Sequence, residues 1–347
     1  MKSELKFIVK TLQSNSKFDY TKISNYDQEK IVYLLEENRV LQPFLEKINL
    51  LDNEKLASLQ SKINSVIKQD YVEDIDKKTE IFSNFMKNLE IDWMSHKHLF
   101  FERQRADIDV LVPSNKFGFV IEKLEDNGFE KISIEPSKIK LTKPSDNSNF
   151  TIHVHEKIIW ETEFIDTTDV WNRSRVIKDK NISIRIPEAE DSILIECAHA
   201  FFESRLIRLS DVLQFLALVN REPIDWKKVS SRMKLYGFQS AGYLYFLAMN
   251  KIISELFEEN PIPNNFLDDV YSSINSEEKF FSVSHAKKKI LTNQELLLPF
   301  PISLVSSALI FISFNRHKGM NDYFHSLNVI SSAALRHLEV KLGLRKL

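Results

Sequence analysis

The sequence predicts an α+β fold, with helices at both ends and a strand-bearing middle, and three observations carry the prediction. Residues 1–90 lack glycine and repeat apolar side chains at helical spacing. From residue 91 the chain changes to short alternating segments separated by Pro, Ser and Asn. Beyond Pro187 long periodic apolar stretches return. The expected division is therefore an N-terminal helical segment over 1–90, an α/β core over 91–190 and a C-terminal helical domain over 191–347.

In the first part, Tyr26 to Asn38 places Ile31, Leu34 and Leu35 on one face. Asp52-Asn53 offers a cap for a helix running to Gln69, and Asp74 to Leu89 sets Ile75, Ile81, Phe82 and Phe85 at helical intervals. Absence of glycine leaves no ready left-handed turn inside this region. In the middle part, Ile91 to Met94 and Ile108 to Val112 read as strands, and Pro113-Ser114 ends the second. Ser114 is the expected cap of a helix carrying Phe117, Val120, Ile121 and Leu124, which stops at Asn127-Gly128. Strands follow at Phe129 to Ile134, Ile139 to Leu141, Phe150 to His155 and Ile182 to Ile186, with a polar turn over Lys143 to Asn149. Strand periodicity puts Thr151, His153 and His155 on one face and Ile152 and Val154 on the other. In the last part, Asp191 to Val219 is periodic with a break expected near Ser210-Asp211; helices follow at Trp226 to Leu235, Ser240 to Glu258 and from Pro301 onward. The apolar stretch Leu296 to Phe314 holds two prolines and four serines, so it reads as a buried helix and not a membrane span.

Bulk composition narrows the function. With 347 residues, 43% hydrophobic and 28% charged, the chain can build a substantial core, which excludes a disordered or fibrous protein. A net charge of -2 argues against duplex DNA as a partner, since no global excess of basic residues exists to neutralise phosphates. One cysteine, Cys197, cannot form an internal disulfide, and the N-terminus lacks the apolar core of a secretory signal; a cytoplasmic setting, with no membrane association, is expected.

The chemistry concentrates in Arg105-Ala106-Asp107-Ile108-Asp109-Val110-Leu111-Val112. Two aspartates at i and i+2 on a strand share a face, about 6 to 7 Å apart by strand rise, and can converge on divalent cations. Hard oxygen ligands of this kind suit Mg²⁺ or Mn²⁺ held together with substrate phosphates. Alone, such a pair is more often the solvent face of an amphipathic strand. Its setting adds weight: Arg103 and Arg105 flank it, Trp93 to Lys97 lies about a dozen residues upstream, and a later strand bears inward polar positions.

Together these residues resemble the nucleotidyltransferase superfamily that includes DNA polymerase β, and within it the uncharacterised nucleotidyltransferase family proteins. The resemblance is carried by Arg105 to Pro113, the helix ending Asn127-Gly128-Phe129, the strand Ile152 to His155, Asp169-Val170-Trp171, Ala198 to Glu203 and Leu209 to Leu213, over about Ile91 to Leu247. It implies a small mixed sheet flanked by helices, on which carboxylates bind Mg²⁺ or Mn²⁺. It also implies transfer of a nucleotidyl group from a bound nucleoside triphosphate, ATP among the candidates, to an acceptor that is a small molecule, a protein or an RNA end. Asp107, Asp109 and His153 then become the catalytic candidates. Asp107, Asp109, His153 and His155 are the metal candidates, and Ser95, Lys97, Arg103 and Arg105 the nucleotide-binding ones.

Two positions depart from the family pattern. The later strand usually reads carboxylate-x-His, but here His153 stands at the carboxylate position and His155 at the histidine. The phosphate loop usually carries glycine, whereas Met94-Ser95-His96-Lys97 has none. Three readings stay open: a metal-dependent nucleotidyltransferase, a catalytically degenerate relative that binds nucleotide or partner, and, ranked lowest, a His-x-His metal hydrolase using His153 and His155 with Asp107 or Asp109.

Other features are weighed against structural roles. His199 and Glu203 are one helical turn apart and read as a packed histidine with its partner. The basic run Arg173, Arg175, Lys178, Lys180 and Arg185 reads as a solvated loop first and a phosphate contact second. Trp160, Trp171 and Trp226 read as core before base-stacking platforms. Arg336, Lys341, Arg345 and Lys346 belong to an expected exposed terminal helix.

Overall fold

The computed structural model describes residues 2–13, 23, 26–50, 56–67, 75–97, 107–135, 137–145, 148–160, 162–179, 182–276, 279, 283–292, 298 and 300–301. The architecture is α+β: a small mixed sheet flanked by helices. Four helices lead, α1 (Lys2–Leu12), α2 (Gln28–Glu37), α3 (Leu41–Asn49) and α4 (Ala57–Val66), then α5 (Ile75–Asn88). Asp27 caps α2 by accepting from the Lys30 amide, which satisfies one of the helix's orphan donors.

The central sheet contains β1 (Asp107–Leu111), β2 (Glu130–Glu135), β3 (Lys138–Ser145) and β4 (Ser148–His155) in the order β1-β4-β3-β2. β1 and β4 run parallel, and the others pair antiparallel. Helix α6 (Ser114–Asp126) lies between β1 and β2 in the chain. Ser114 is its first residue, whereas Pro113 holds the cap position without a side-chain hydrogen bond. The expected cap is thus displaced by one residue, because proline's fixed φ already turns the chain into the helix. Beyond β4 come the short pair β5 (Ile159–Trp160) and β6 (Thr162–Glu163), helix α7 (Thr167–Arg173), and the hairpin β7 (Arg175–Asp179) and β8 (Ile182–Ile186).

The expected strand Ile91 to Met94 is reduced to single bridges at Met94, antiparallel to Leu111 and parallel to Arg185. Met94 exchanges backbone hydrogen bonds with Leu111, and the Ser95 amide donates to the Arg185 carbonyl. This short segment therefore stitches β8 to the exposed edge of β1.

Helices α8 (Ala189–Ala198), α9 (Leu209–Arg221), α10 (Trp226–Tyr236), α11 (Gln239–Leu256), α12 (Asn264–Ser273) and α13 (Ser284–Thr292) complete the described elements, with the pair β9 (Leu206–Ile207) and β10 (Phe300–Pro301). Between α8 and α9 the chain widens into a π-helix over His199–Ser204 and then turns at Arg205, whose φ of 52° is left-handed. The break thus precedes the expected Ser210-Asp211. Asp211 instead opens α9: its carboxylate accepts from the Arg208 amide at 2.9 Å.

Two apolar clusters sit on opposite faces of the sheet. Ile108, Val110, Ile152 and Val154 point toward Phe82 and Met86 of α5 and Val120, Ile121 and Leu124 of α6. Met94 and Leu111 join a larger cluster made of α1 to α4 and α8 to α13. Buried Asn38 links its two ends, donating to the Leu34 and Leu298 carbonyls and accepting from the Leu209 amide. No described helix is long and apolar enough to cross a membrane. Residues 302–347, with the expected helix from Pro301 and its basic end, lie outside the described residues, as does most of Leu296 to Phe314.

Candidate functional site

The parallel register sets Asp109 beside His153 and Asp107 beside Thr151. Because strand side chains alternate, Asp107, Asp109, His153 and His155 all rise from the face opposite Ile108, Val110, Ile152 and Val154. Asp107 is partly exposed and Asp109 buried, so the pair spans from solvent into the protein.

His153 lies between the two carboxylates. Its Nε2 is 3.2 Å from Asp107 Oδ2 and its Nδ1 3.5 Å from Asp109 Oδ1. The first contact is close in distance but lies off the direction of a hydrogen bond, so it is an electrostatic approach. His155 Nε2 is 3.2 Å from Asp109 Oδ1 and is buried. Burial is the largest influence on this imidazole and lowers its pKa; Lys97 adds to that shift, and Asp109 opposes it.

Lys97 also reaches Asp109, with Nζ 3.8 Å from Oδ1, and lies 3.9 Å from Glu203 Oε2 on the π-helix. Glu203 accepts in turn from His199 at 3.1 Å. Burial works to raise the Glu203 carboxyl, but the Lys97 ammonium and the His199 imidazole outweigh it and hold it well below the usual carboxylate range. A continuous alternation results: Asp107, His153, Asp109, Lys97, Glu203, His199. π-Helices often occur at functional sites, and this one aims its carboxylate at the ammonium of the 94–97 segment.

His96 enters from the same segment. The bridge of Met94 to Leu111 brings the turn that carries His96 to the edge of β1. The rings of His96 and His155 meet edge to face with centroids 4.5 Å apart. His96, Asp109 and His155 are all buried, and one ligand atom from each lies within 4.8 Å of the others.

Lys78 of α5 is a further cation, on the Phe150 side of the sheet, that feels the charge of Asp107. It is buried, donates to the Asn149 carbonyl at 3.1 Å and lies 5.9 Å from the centroid of the Phe150 ring. Burial lowers its pKa, opposed by the charge of Asp107. No sequence motif marks Lys78, which sits in an ordinary amphipathic helix. His96 and Glu203 were visible as residue types, but only as a loop residue and a helix partner.

The Ser95 amide joins the backbone stitch to β8, and Lys97 faces the carboxylates. Arg103 and Arg105 lie outside the described residues. The basic run is largely paired. Arg173 holds buried Asp191 through two hydrogen bonds, Arg175 meets Glu222, and Arg185 meets Ser174 and Asp92; Lys180 lies outside the described residues. Trp226 packs among Phe215, Phe246 and Phe266, and Trp171 lies under Arg185 at 5.8 Å. The Trp160 side chain lies outside the described ones. A cavity of about 480 Å³ opens elsewhere, between Ser83, Asn84 and Lys87 of α5, Trp93, and Ser183 and Arg185 of β8, and contains none of the paired carboxylates.

The sheet, the aspartate pair and the histidine strand all fall inside one matched segment. Residues 101–253 match the family model described as uncharacterised nucleotidyltransferase. The nucleotidyltransferase match spans β1 through most of α11, so it takes in both candidate strands and the π-helix. The crystal structure of the lincosamide antibiotic adenylyltransferase LnuA, lincomycin-bound, is similar at 15% identity, covering 42% of this chain and 97% of that one, with a TM-score of 0.33. Comparison with curated proteins gives no match.

Proposed function

We propose that this protein is a metal-dependent nucleotidyltransferase that moves a nucleotidyl group from a nucleoside triphosphate to a hydroxyl or amine acceptor, with Asp107 and Asp109 as its principal carboxylates. The reading rests chiefly on one observation: both aspartates rise from one face of β1, beside His153 of the parallel neighbour, within the nucleotidyltransferase match.

The donor set fits a divalent cation. Two carboxylates supply hard oxygens and negative charge, and His153 offers imidazole nitrogen where the family pattern has a third carboxylate, which favours Mn²⁺ over Mg²⁺. When bound, such an ion neutralises phosphate charge and makes the acceptor a better nucleophile.

The chain's own groups divide the remaining work. Asp107, the more exposed carboxylate, is the one of the pair that solvent and an incoming substrate can reach. Asp109 is held by His155 behind it, which fixes the orientation of its carboxylate. Lys97 supplies a positive charge for triphosphate oxygens, and Glu203 holds that ammonium in place.

The test is incubation with labelled nucleoside triphosphates, Mg²⁺ or Mn²⁺, and a panel of sugars, aminated small molecules, proteins and RNA. Labelled product formed by the wild type and lost in Asp107→Asn supports the reading; turnover unchanged by that substitution sinks it. A second reading, nucleotide binding without chemistry, draws on His153 and Lys97, because each places a basic group against a carboxylate that a cation would need. Calorimetry showing triphosphate binding, with no product at any metal concentration, would select it.

A further inference from the structure

We propose that His96, Asp109 and His155 form a binding site for one divalent transition-metal ion, adjoining the catalytic pair through Asp109, with Zn²⁺ the ion its donors fit best. The three side chains come from two neighbouring strands and the segment stitched to the edge of β1. All three are buried, with relative exposures of 2%, 7% and 4%. Their ligand atoms lie within 4.8 Å of one another, and His155 Nε2 and Asp109 Oδ1 are 3.2 Å apart. Two ligands at about 2.0 to 2.1 Å from a tetrahedral ion stand about 3.3 to 3.4 Å apart. The His155–Asp109 edge, at 3.2 Å, is close to that length, and the other edges, within 4.8 Å, shorten as the side chains close on the ion.

Donor chemistry selects the ion. Two imidazoles and one carboxylate make a borderline set that suits zinc-like cations and is poor for Mg²⁺, which prefers oxygen and retains water. A buried group of two histidines and a carboxylate is also more than an acidic cluster, because imidazole remains a neutral ligand and adds no repulsion. Lys97 lies 3.8 Å from Asp109 and equally close, at 3.9 Å, to Glu203. Its charge therefore keeps a carboxylate partner when an ion takes Asp109. A small, mostly apolar hollow of about 10 Å³ adjoins His96 and Lys97, bordered by Ile193, Phe215, Glu196 and Gln214. It has space for roughly one water and none for a nucleotide.

The site shares Asp109 with the proposed catalytic pair but does not depend on transferase activity, and Asp107 is outside it. That difference makes the two ideas separable. The experiment measures metal content of the full chain purified without chelator, then titrates chelated protein with Zn²⁺ by calorimetry and with Co²⁺ by visible absorption. One equivalent of Zn²⁺ is expected, with Co²⁺ giving the intense bands of a four- or five-coordinate ion. His96→Gln should weaken Zn²⁺ by at least about 10-fold, more than loss of an outer-shell partner at the low end of its range. Asp107→Asn should leave it unchanged. His96→Cys should retain Zn²⁺ and add a thiolate charge-transfer band to the Co²⁺ spectrum, a signal that arises only if position 96 is a ligand.

Absence of Zn²⁺ and Co²⁺ binding in the wild type overturns the site, as does equal weakening by His96→Gln and Asp107→Asn. Should the His96 variants fail to fold, nitrogen NMR of the wild type decides: Zn²⁺ must shift the ring resonances of His96 and His155, and shifts confined to His153 refute the assignment.

Discussion

Asp109 and His153 occupy paired positions on two parallel strands, and His153 Nδ1 lies 3.5 Å from Asp109 Oδ1 while its other ring nitrogen lies 3.2 Å from Asp107. One imidazole thus fills the space between two carboxylates. It neutralises neither unless protonated, and it stands where the family pattern has a third acid. Whatever cation the pair holds must therefore accept a nitrogen neighbour.

Metal preference should follow from that neighbour. Imidazole is a poor Mg²⁺ ligand, so wild-type turnover should be faster with Mn²⁺. His153→Asp replaces nitrogen by oxygen and should raise the Mg²⁺ to Mn²⁺ rate ratio by about 10-fold or more, within the span seen when metal surroundings change. Rates measured with each metal at saturating triphosphate test this, and an unmoved ratio would remove His153 from the metal's surroundings.

Charge removal at Asp107 should act on turnover far more than on stability. Asp107→Asn is expected to lower kcat by at least about 100-fold, the scale of deleting a group that stabilises transition-state charge. Its unfolding free energy should change by less than about 1 kcal/mol, since the side chain is partly exposed. Urea unfolding and product assays on the same preparation make the comparison.

Glu203 supplies an acid-side prediction. Its folded pKa is depressed: desolvation pushes it up, but Lys97 and His199 pull it further down, an effect that solvent moderates because the side chain is 39% accessible. A depressed carboxyl contributes stability that is fully present above the unfolded value, about 4.3, and is lost as pH falls from there toward the folded value. Wild type should therefore lose stability progressively below about pH 4.3, and Glu203→Gln should show a shallower loss over the same interval. Denaturation midpoints at a series of pH values provide the check; parallel curves for the two proteins would contradict the assignment.

Asp191 should be the most costly polar position to change. It is fully buried, held by Arg173 through two hydrogen bonds at 2.9 and 3.1 Å and by Arg232 at 2.9 Å. Arg232 also meets Glu188, and Arg173 donates to the Tyr236 hydroxyl at 2.8 Å. Asp191→Ala removes the carboxylate the two guanidinium groups share, leaving them Glu188, and should destabilise by about 1.5 to 3 kcal/mol. The urea midpoint should fall with the slope unchanged. A loss under about 1 kcal/mol would show that the arginines find other partners.

Several features were legible from residue order alone. Periods of 3.6 and 2 located α2, α5, α6, β1, β4 and β8, and strand alternation placed Asp107 with Asp109 and His153 with His155 on shared faces. These are local properties, determined by which neighbours along the chain are apolar. The same reasoning overextended the segment around Met94 into a strand, where only bridges form, and set the break before α9 too late.

What tertiary structure alone decided is which distant residues meet. That β4 lies parallel beside β1 makes Asp109 the neighbour of His153, and the stitch of Met94 to Leu111 turns His96 from a loop residue into a partner of Asp109. Glu203 of the π-helix reaches Lys97, and buried Lys78, on a helix that no motif marks, feels the charge of Asp107. Sequence patterns report the direction of a side chain relative to its own backbone. The distances and burial that set charge, metal preference and reactivity arise only when separate segments are packed against one another.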